Sequence, residues 1–338
     1  MRPWQQQMRH MNAWNLCAWA WLAIATSVGA LAAQTVAPPA SRPAAPSVAS
    51  QPATRPDSFT LATFNVNNGI GQMNGTDQQR RDQLDAVVDA IKKCDADVVA
   101  LQEGNDLVYG HLSKSLEKTY PHMIFYSAQA AGGSGWLSKT PLLDLKVLPA
   151  LVEAGGWFRT PIASVRFQNR VVLLANVHLH PTIPNGSGLR AMLASYAQTE
   201  KIRAAEIGFI WGKIEQERKT AKVELPVVIM GDFNAPSQLA AGSFLRDKGM
   251  IDSFAATNDQ PDSHPSWQSK PDGQGLSFRI DLIWHNSQMA ALNSRIVASD
   301  VSDHKPVVSQ LHFAPKAATV PAGGATESAG TKKADGTK

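Results

Sequence analysis

Asp232 and Asn234 stand two residues apart at the end of Leu225-Pro226-Val227-Val228-Ile229-Met230-Gly231-Asp232-Phe233-Asn234. The apolar run before them reads as a buried strand, and Gly231 lets the chain turn tightly where the run stops. Strand alternation points Asp232 and Asn234 the same way. A carboxylate and a carboxamide leaving a strand end together suit a metal site that handles phosphate. The competing reading is an Asx turn that closes a core strand and carries no chemistry.

The same arrangement recurs along the chain. Asn65 ends an apolar run at 60–66, and Gln102-Glu103 follows one at 97–101. His178 and His180 follow 171–177, and Asp281 lies within Phe278-Arg279-Ile280-Asp281-Leu282-Ile283. Asp303 and His304 sit in Ser302-Asp303-His304-Lys305-Pro306, just before a last strand. Each has a bland reading: Asn65 and Asn234 as turn residues, Glu103 as a helix-terminus charge, His178 as a core histidine, Asp303 as an N-cap. Catalytic groups, however, cluster on loops carried by rigid strand ends, and all the bland readings holding together is the weaker case. One Glu, several Asp and Asn and no cysteine cluster form an oxygen-ligand set. Such a set favours Mg²⁺, with Mn²⁺ or Ca²⁺ as alternatives, over structural zinc. There is no HExxH pattern and no Gly-x-Ser-x-Gly elbow for a serine hydrolase.

These residues need strands and helices to position them. Leu84, Val87, Val88 and Ile91 recur three and four apart, which predicts an amphipathic helix over 78–93. A second helix is expected near 107–118 and a long one over 189–219. Strands are expected at 60–66, 97–101, 162–167, 171–177, 226–230, 278–284 and 306–312, with a turn at Gln168-Asn169. Gly132 to Trp136 reads as a glycine-rich turn, and 259–277 as a loop. Helices alternate with strands, but hairpins intrude. The order implies an α/β sandwich with mixed sheets rather than a doubly wound parallel sheet.

The chain has 338 residues, enough for one large core. Residues 1–33 carry Arg2 and Arg9, then an apolar stretch closing on Ala30-Leu31-Ala32. That is the layout of a signal peptide; an uncleaved membrane anchor is the alternative. Export to the periplasm or the extracellular space is expected either way. Residues 34–57 are rich in Pro and Ala and read as a linker, 58–314 as the globule, and 315–338 as a disordered tail. Of the 32 Lys and Arg, eight lie outside 58–314, and of the 28 acids three do, leaving 24 against 25 and a net charge of −1. The basic pI belongs to the tails. A protein that grips long nucleic acid usually carries a basic excess. Cys94, the one cysteine outside the leader, reads as structural.

Phe64-Asn65, Gln102-Glu103, Gly135-Trp136-Leu137-Ser138-Lys139-Thr140-Pro141, Asn176-Val177-His178-Leu179, Gly231-Asp232-Phe233-Asn234, Arg279-Ile280-Asp281 and Ser302-Asp303-His304 together resemble the endonuclease/exonuclease/phosphatase superfamily. That family includes DNase I, abasic-site endonucleases, inositol-polyphosphate 5-phosphatases and neutral sphingomyelinases. The resemblance runs from about Phe59 to Phe313 in the family's order. It implies a DNase I-like four-layer sandwich, two mixed β-sheets face to face with helices outside, and metal-dependent phosphoester hydrolysis. By this resemblance Glu103 is the principal metal ligand, with Asn65 beside the metal and Asp303 at a second position. Asp232 activates water, Asn234 donates to the phosphate, and His304, backed by Asp281, steadies developing charge. His178 takes the leaving-group role, with His180 its rival. Asn67 stands where some nuclease branches carry Asp, which leaves one or two metals open. A small phosphoester, a lipid head group or nucleic acid remain as substrates. No obligate protein partner is expected, and the chain reads as a monomer. A secreted non-specific endonuclease and a catalytically inactive binding module are the alternatives. Trp136 and Trp157-Phe158 read as packing groups in the core or on a sheet edge, with lining a cleft as the alternative.

Overall fold

The computed structural model describes residues 58–67, 76–127, 132–182, 189–221, 224–269 and 275–314. The expected leader at 1–33, linker at 34–57 and tail at 315–338 lie outside the described residues. Within them the chain runs β1 (Ser58–Asn65), α1 (Asp77–Cys94), β2 (Val98–Gly104), α2 (Asp106–Leu116), β3 (His122–Tyr126), β4 (Gly133–Ser138) and β5 (Leu142–Leu148). It continues with β6 (Thr160–Phe167), β7 (Arg170–His178), α3 (Leu189–Ala221), β8 (Val227–Asp232), α4 (Ala240–Asp247) and β9 (Ile251–Asp252). It closes with β10 (Trp267–Gln268), β11 (Ser277–Phe278), β12 (Asp281–His285), β13 (Met289–Ile296) and β14 (Val307–Phe313).

Two six-stranded sheets form, ordered β13-β14-β1-β2-β4-β3 and β5-β6-β7-β8-β12-β9. Each holds one parallel pair, β1 with β2 and β7 with β8, among antiparallel neighbours. The expected mixed sheets are therefore present. Apolar side chains of the two sheets meet in a shared core around Leu61, Trp136, Leu174, Met230 and Ile283. Helices α1 and α2 cover the outer face of the first sheet, and α3 and α4 that of the second. This is the four-layer sandwich.

Local sequence explains the helices. Thr76 accepts from the Gln79 amide, and the Gln79 side chain accepts from the Thr76 N–H, a reciprocal cap that starts α1. Its buried face is Leu84, Val87, Val88, Ile91 and Cys94. Cys94 is buried, and burial pushes its thiol up to about 12, so it packs and does not react.

Alternation explains where the site forms. Phe59 and Leu61 of β1, Val98 and Ala100 of β2, Val172 and Leu174 of β7, Val228 and Met230 of β8, and Ile283 of β12 all face the shared core. The next same-parity residues are polar: Thr63 and Asn65, Gln102, Asn176 and His178, Asp232, and Asp281. One end of the sandwich therefore changes from apolar to polar between the sheets. A hydrogen-bonded layer marks the change. Gln102 Nε2 donates to Asn176 Oδ1 at 2.7 Å and to Thr63 Oγ1 at 3.1 Å. Asn176 Nδ2 donates to the carbonyls of Leu101 and Gly135, both at 3.0 Å. Buried polar groups left unpaired cost about 1–3 kcal/mol each. Asn176→Ala is thus expected to lower unfolding free energy by about 3 kcal/mol, read from the urea midpoint at unchanged slope.

The structure corrects part of the sequence reading. Gly132 to Trp136 is not a turn: Gly133 to Ser138 form β4 between β2 and β3. Its glycines serve close approach, since a Cβ at Gly135 would lie 2.6 Å from the Phe125 ring and one at Gly133 2.2 Å from the Tyr126 carbonyl. The strands β3, β5, β9 and β13 and the helix α4 have no counterpart in the sequence reading, and β10 falls within the stretch 259–277 read as a loop. Trp136 is fully buried in the shared core, as read, but Trp157 is 49% exposed.

Candidate active site

Asp232 closes β8 and is buried. Its Oδ1 accepts the Asn234 backbone N–H at 2.8 Å, and Asn234 has a left-handed φ of 51°. The turn is an Asx turn, and it fixes one carboxylate oxygen while leaving the other aimed between the sheets. The two readings of this motif are thus one device. Gly231 makes it possible: its φ is 148°, and a Cβ there would lie 1.9 Å from the Val177 carbonyl of the paired strand. Asn234 Nδ2 donates to the Leu179 carbonyl at 2.9 Å, which ties the turn to the exit of β7.

Glu103 reaches the same place by a different route. Alternation would send it outward, because Gln102 faces in. A register shift between Leu101 and Gly104 and a left-handed φ of 58° re-aim it. Gly132 accommodates this, since a Cβ there would lie 2.4 Å from Glu103 Cα. Asn67, Glu103 and Asn234 are all non-glycine residues with positive φ, and such backbone clusters at functional sites.

Asn65 joins the two acids. Its Nδ2 donates to Glu103 Oε1 at 3.0 Å and to Asp232 Oδ2 at 2.9 Å, while its Oδ1 accepts the Asn67 N–H at 2.9 Å. His178 Nε2 lies 3.6 Å from Glu103 Oε1 and 3.7 Å from Asp232 Oδ2. His180 faces elsewhere: its Nδ1 is 2.6 Å from the Pro181 carbonyl and its ring packs against Trp157. On the other side of Asp232, His304 Nε2 stands 3.8 Å from Oδ2, and His304 Nδ1 is 2.9 Å from Asp281 Oδ2. Asp303 stands at the edge of the site. Its Oδ1 accepts from Asn67 Nδ2 at 2.6 Å and its Oδ2 from Trp267 Nε1 at 2.9 Å.

Three residues not among the candidate site residues take part. Ser266 Oγ donates to Asp281 Oδ2 at 2.7 Å and accepts the Ile280 and Asp281 amides, both at 3.0 Å. Ser302 Oγ donates to the Asn65 carbonyl at 2.9 Å. Phe158 stacks on His178 with ring centroids 3.6 Å apart and planes 12° apart. Ser266, deep in an aperiodic loop, carried nothing in its neighbours to mark it, whereas Ser302 lies in the Ser302-Asp303-His304 motif and Phe158 reads from sequence as a packing group with cleft lining as the alternative.

Electrostatics divide these groups by role. Burial, helped by the charge of Asp281, pushes Asp232 up to about 7, against the pull of His304 and two N–H donors. Burial would lower His304, but Asp281, Asp232 and Asp303 outweigh it and hold the imidazole well above its usual value. Burial, then the charges of His304 and His180, lowers His178 to about 3, so that ring is neutral. The site therefore presents a base near neutral pH, an imidazolium braced by a carboxylate, and a neutral imidazole.

Among the described residues, two groups place ligand atoms within 4.8 Å of one another: Glu103, His178 and Asp232, and Asp232, Asp281 and His304. The first offers two carboxylate oxygens, the donor type a hard divalent cation prefers, and Asn65 Nδ2 bridges them.

The sequence model of the Endonuclease/Exonuclease/phosphatase family matches residues 62–304. No curated protein matches the chain significantly. Among solved structures, humanized D. rerio TDP2 superposes with a TM-score of 0.58 at 16% identity, covering 76% of this chain and 100% of its own. D. rerio TDP2 complexed with single-strand DNA product gives 0.57 at 15% identity, over 76% and 99%. The endonuclease/exonuclease/phosphatase from Bacteroides vulgatus gives 0.55 at 18%, over 76% and 99%. At these identities the neighbours speak for the fold. With the family match spanning residues 62–304, the chain belongs to the Endonuclease/Exonuclease/phosphatase family.

Proposed function

We propose that this protein is an exported, divalent-metal-dependent phosphoester hydrolase, a phosphodiesterase or phosphatase, in which Asp232 aligns and deprotonates the attacking water. The observation that carries the reading is the convergence of Glu103 and Asp232 on one Asn65 amide beside the His304–Asp281 pair. Glu103, with Asn65 beside it, would hold Mg²⁺, or Mn²⁺ or Ca²⁺ in its place; Asp303 is the candidate for a second position. When bound, the cation neutralises the phosphoester's charge and polarises phosphorus.

The chain's own residues supply the remaining chemistry. Asp232 takes the proton from water on its Oδ2, the oxygen that faces His178 and His304, while Oδ1 is held in the Asx turn. Asp281 accepts the hydrogen bond of His304 Nδ1–H, which leaves the Nε2–H of the imidazolium to meet the negative charge growing on the phosphate. Asn234 keeps one amide hydrogen for a phosphate oxygen, the other being directed to Leu179. His178, neutral and pressed against Phe158, would offer a hydrogen bond from Nε2–H to the departing oxygen, which takes its proton from solvent.

Nucleic acid is the second reading, and a specific observation favours it: D. rerio TDP2, a structural neighbour, is described with a single-strand DNA product. The net charge of −1 on the globule stands against long duplex DNA. Purified protein assayed on bis-p-nitrophenyl phosphate, plasmid DNA and sphingomyelin, each with Mg²⁺ and with EDTA, separates these readings. Hydrolysis of at least one substrate that EDTA abolishes is expected. No metal-dependent hydrolysis of any would overturn the enzyme reading. Export rests on Arg2, Arg9 and the apolar stretch that follows; a mature N-terminus near residue 34 is expected, and an intact Met1 would favour the anchor.

A further inference from the structure

Trp157 exposes 49% of its surface at the rim of the site, in the loop between β5 and β6. Aromatic rings lead from it to the carboxylates. His178, with Nε2 3.7 Å from Asp232, is stacked by Phe158 at 3.6 Å. Trp157 meets the Phe158 edge at 6.3 Å and leans on His180 at 4.4 Å.

Glu206 of α3 fixes this loop. It is 4% exposed, and its carboxylate accepts the backbone N–H of His180 at 2.8 Å and also that of Trp157. A Cβ at Gly156 would lie 2.6 Å from Glu206 Oε1, so glycine lets the loop settle against the acid. The fully buried Arg203 does not neutralise it by contact; its guanidinium bonds Glu200, Thr182, Thr199 and the His180 carbonyl. A buried carboxylate without a contacting cation is costly, and burial pushes Glu206 up to about 7. Here it draws two rim segments onto one helix.

We propose that Trp157, braced by Phe158, forms a stacking platform for a flat aromatic leaving group, and that Glu206 positions it. The inference rests on the phosphoester hydrolase reading above and names the substrate class: a phosphoester whose departing oxygen carries a nucleobase-bearing or aryl group. Geometry favours a flat ring over a quaternary ammonium. An ammonium cage needs several open faces, whereas the Phe158 face lies against His178 and Trp157 offers the open one.

The test is calorimetric binding of three phosphonates, whose C–P bonds resist hydrolysis, to the full chain with Mg²⁺. Benzylphosphonate is expected to bind about 10-fold tighter than cyclohexylmethylphosphonate, the size of one stacked ring. Trp157→Ala should remove that preference and leave cyclohexylmethylphosphonate within about 2-fold. Glu206→Gln should shrink the preference with the same effect on neither non-aromatic probe, which a merely structural loss would not do. Equal affinities, no detectable binding of benzylphosphonate, tightest binding of 2-(trimethylammonio)ethylphosphonate, or an equal loss for all three on Trp157→Ala would each overturn the platform. Binding needs no turnover. Preference without metal-dependent hydrolysis would sink the enzyme reading alone, and hydrolysis without preference would sink the platform alone.

Discussion

Asp232→Asn is expected to lower phosphoester hydrolysis by about 10²–10⁴-fold with little change in melting temperature. The substitution keeps the side chain's shape and its Oδ1, so the Asx turn with Asn234 survives. It removes the carboxylate proposed to take a proton from water between the sheets. Two opposing effects on stability come with it. An amide nitrogen in place of Oδ2 would face the Asn65 nitrogen, donor against donor, unless the amide turns. Against that, one of two neighbouring buried negative charges disappears, which relieves Asp281. Rate and stability therefore separate. A variant with wild-type rate would remove Asp232 from the role of base, and one that does not fold would leave His304→Ala and the double variant below to decide.

His304→Ala is expected to lower the rate by about 10²–10³-fold and, unlike Asp232→Asn, to destabilise the fold by about 3–5 kcal/mol. Asp281 is fully buried, and His304 is the cationic group that touches it. Without the imidazolium, Asp281 keeps the Ser266 hydroxyl and loses its charge partner. The double variant His304→Ala with Asp281→Asn removes both charges. It should regain most of the lost stability, measured by urea unfolding, and none of the lost rate. Recovery of rate in the double variant would show that His304 acts through packing and not through charge.

Strand and helix periodicities carried much of this arrangement into view. The apolar runs at 60–66, 171–177 and 226–230 end in polar residues, and β1, β7 and β8 do bring those ends to one edge of the sandwich. The 78–93 pattern reads as a helix because its face is narrow and regular, and α1 buries that face. Elements at sheet margins were not visible for a physical reason. Every residue of β3 is half-buried, so it shows no two-residue alternation; β5 does alternate, at Leu143-Asp144-Leu145-Lys146-Val147, but it is a short, largely exposed stretch interrupted by an irregularity at Asp144. The glycines of β4 look like a turn because glycine marks both turns and close strand contacts.

The site was legible by residue type more than by geometry. Glu103 has the wrong parity for the core face, and only the bulge in β2 delivers it. Asn234 was expected to follow strand alternation from Asp232, yet it arrives through the Asx turn with a left-handed backbone. Phe158 and Trp157 looked like packing groups because composition does not distinguish a buried ring from a rim ring. Glu206 carried no signal at all: an acid in a long amphipathic helix is ordinarily solvated, and only the tertiary approach of the glycine loop buries it.

A crystal grown with Mn²⁺ and inorganic phosphate tests the central claim most directly. Mn²⁺ stands in for Mg²⁺ and is located by its anomalous signal, and phosphate stands in for the hydrolysed group. The expected result is an ion bonded to the Glu103 carboxylate, with phosphate between it and His304, and both lost in Glu103→Gln. An ion held only by exposed surface acids, with phosphate absent from the polar end of the sandwich, would contradict it.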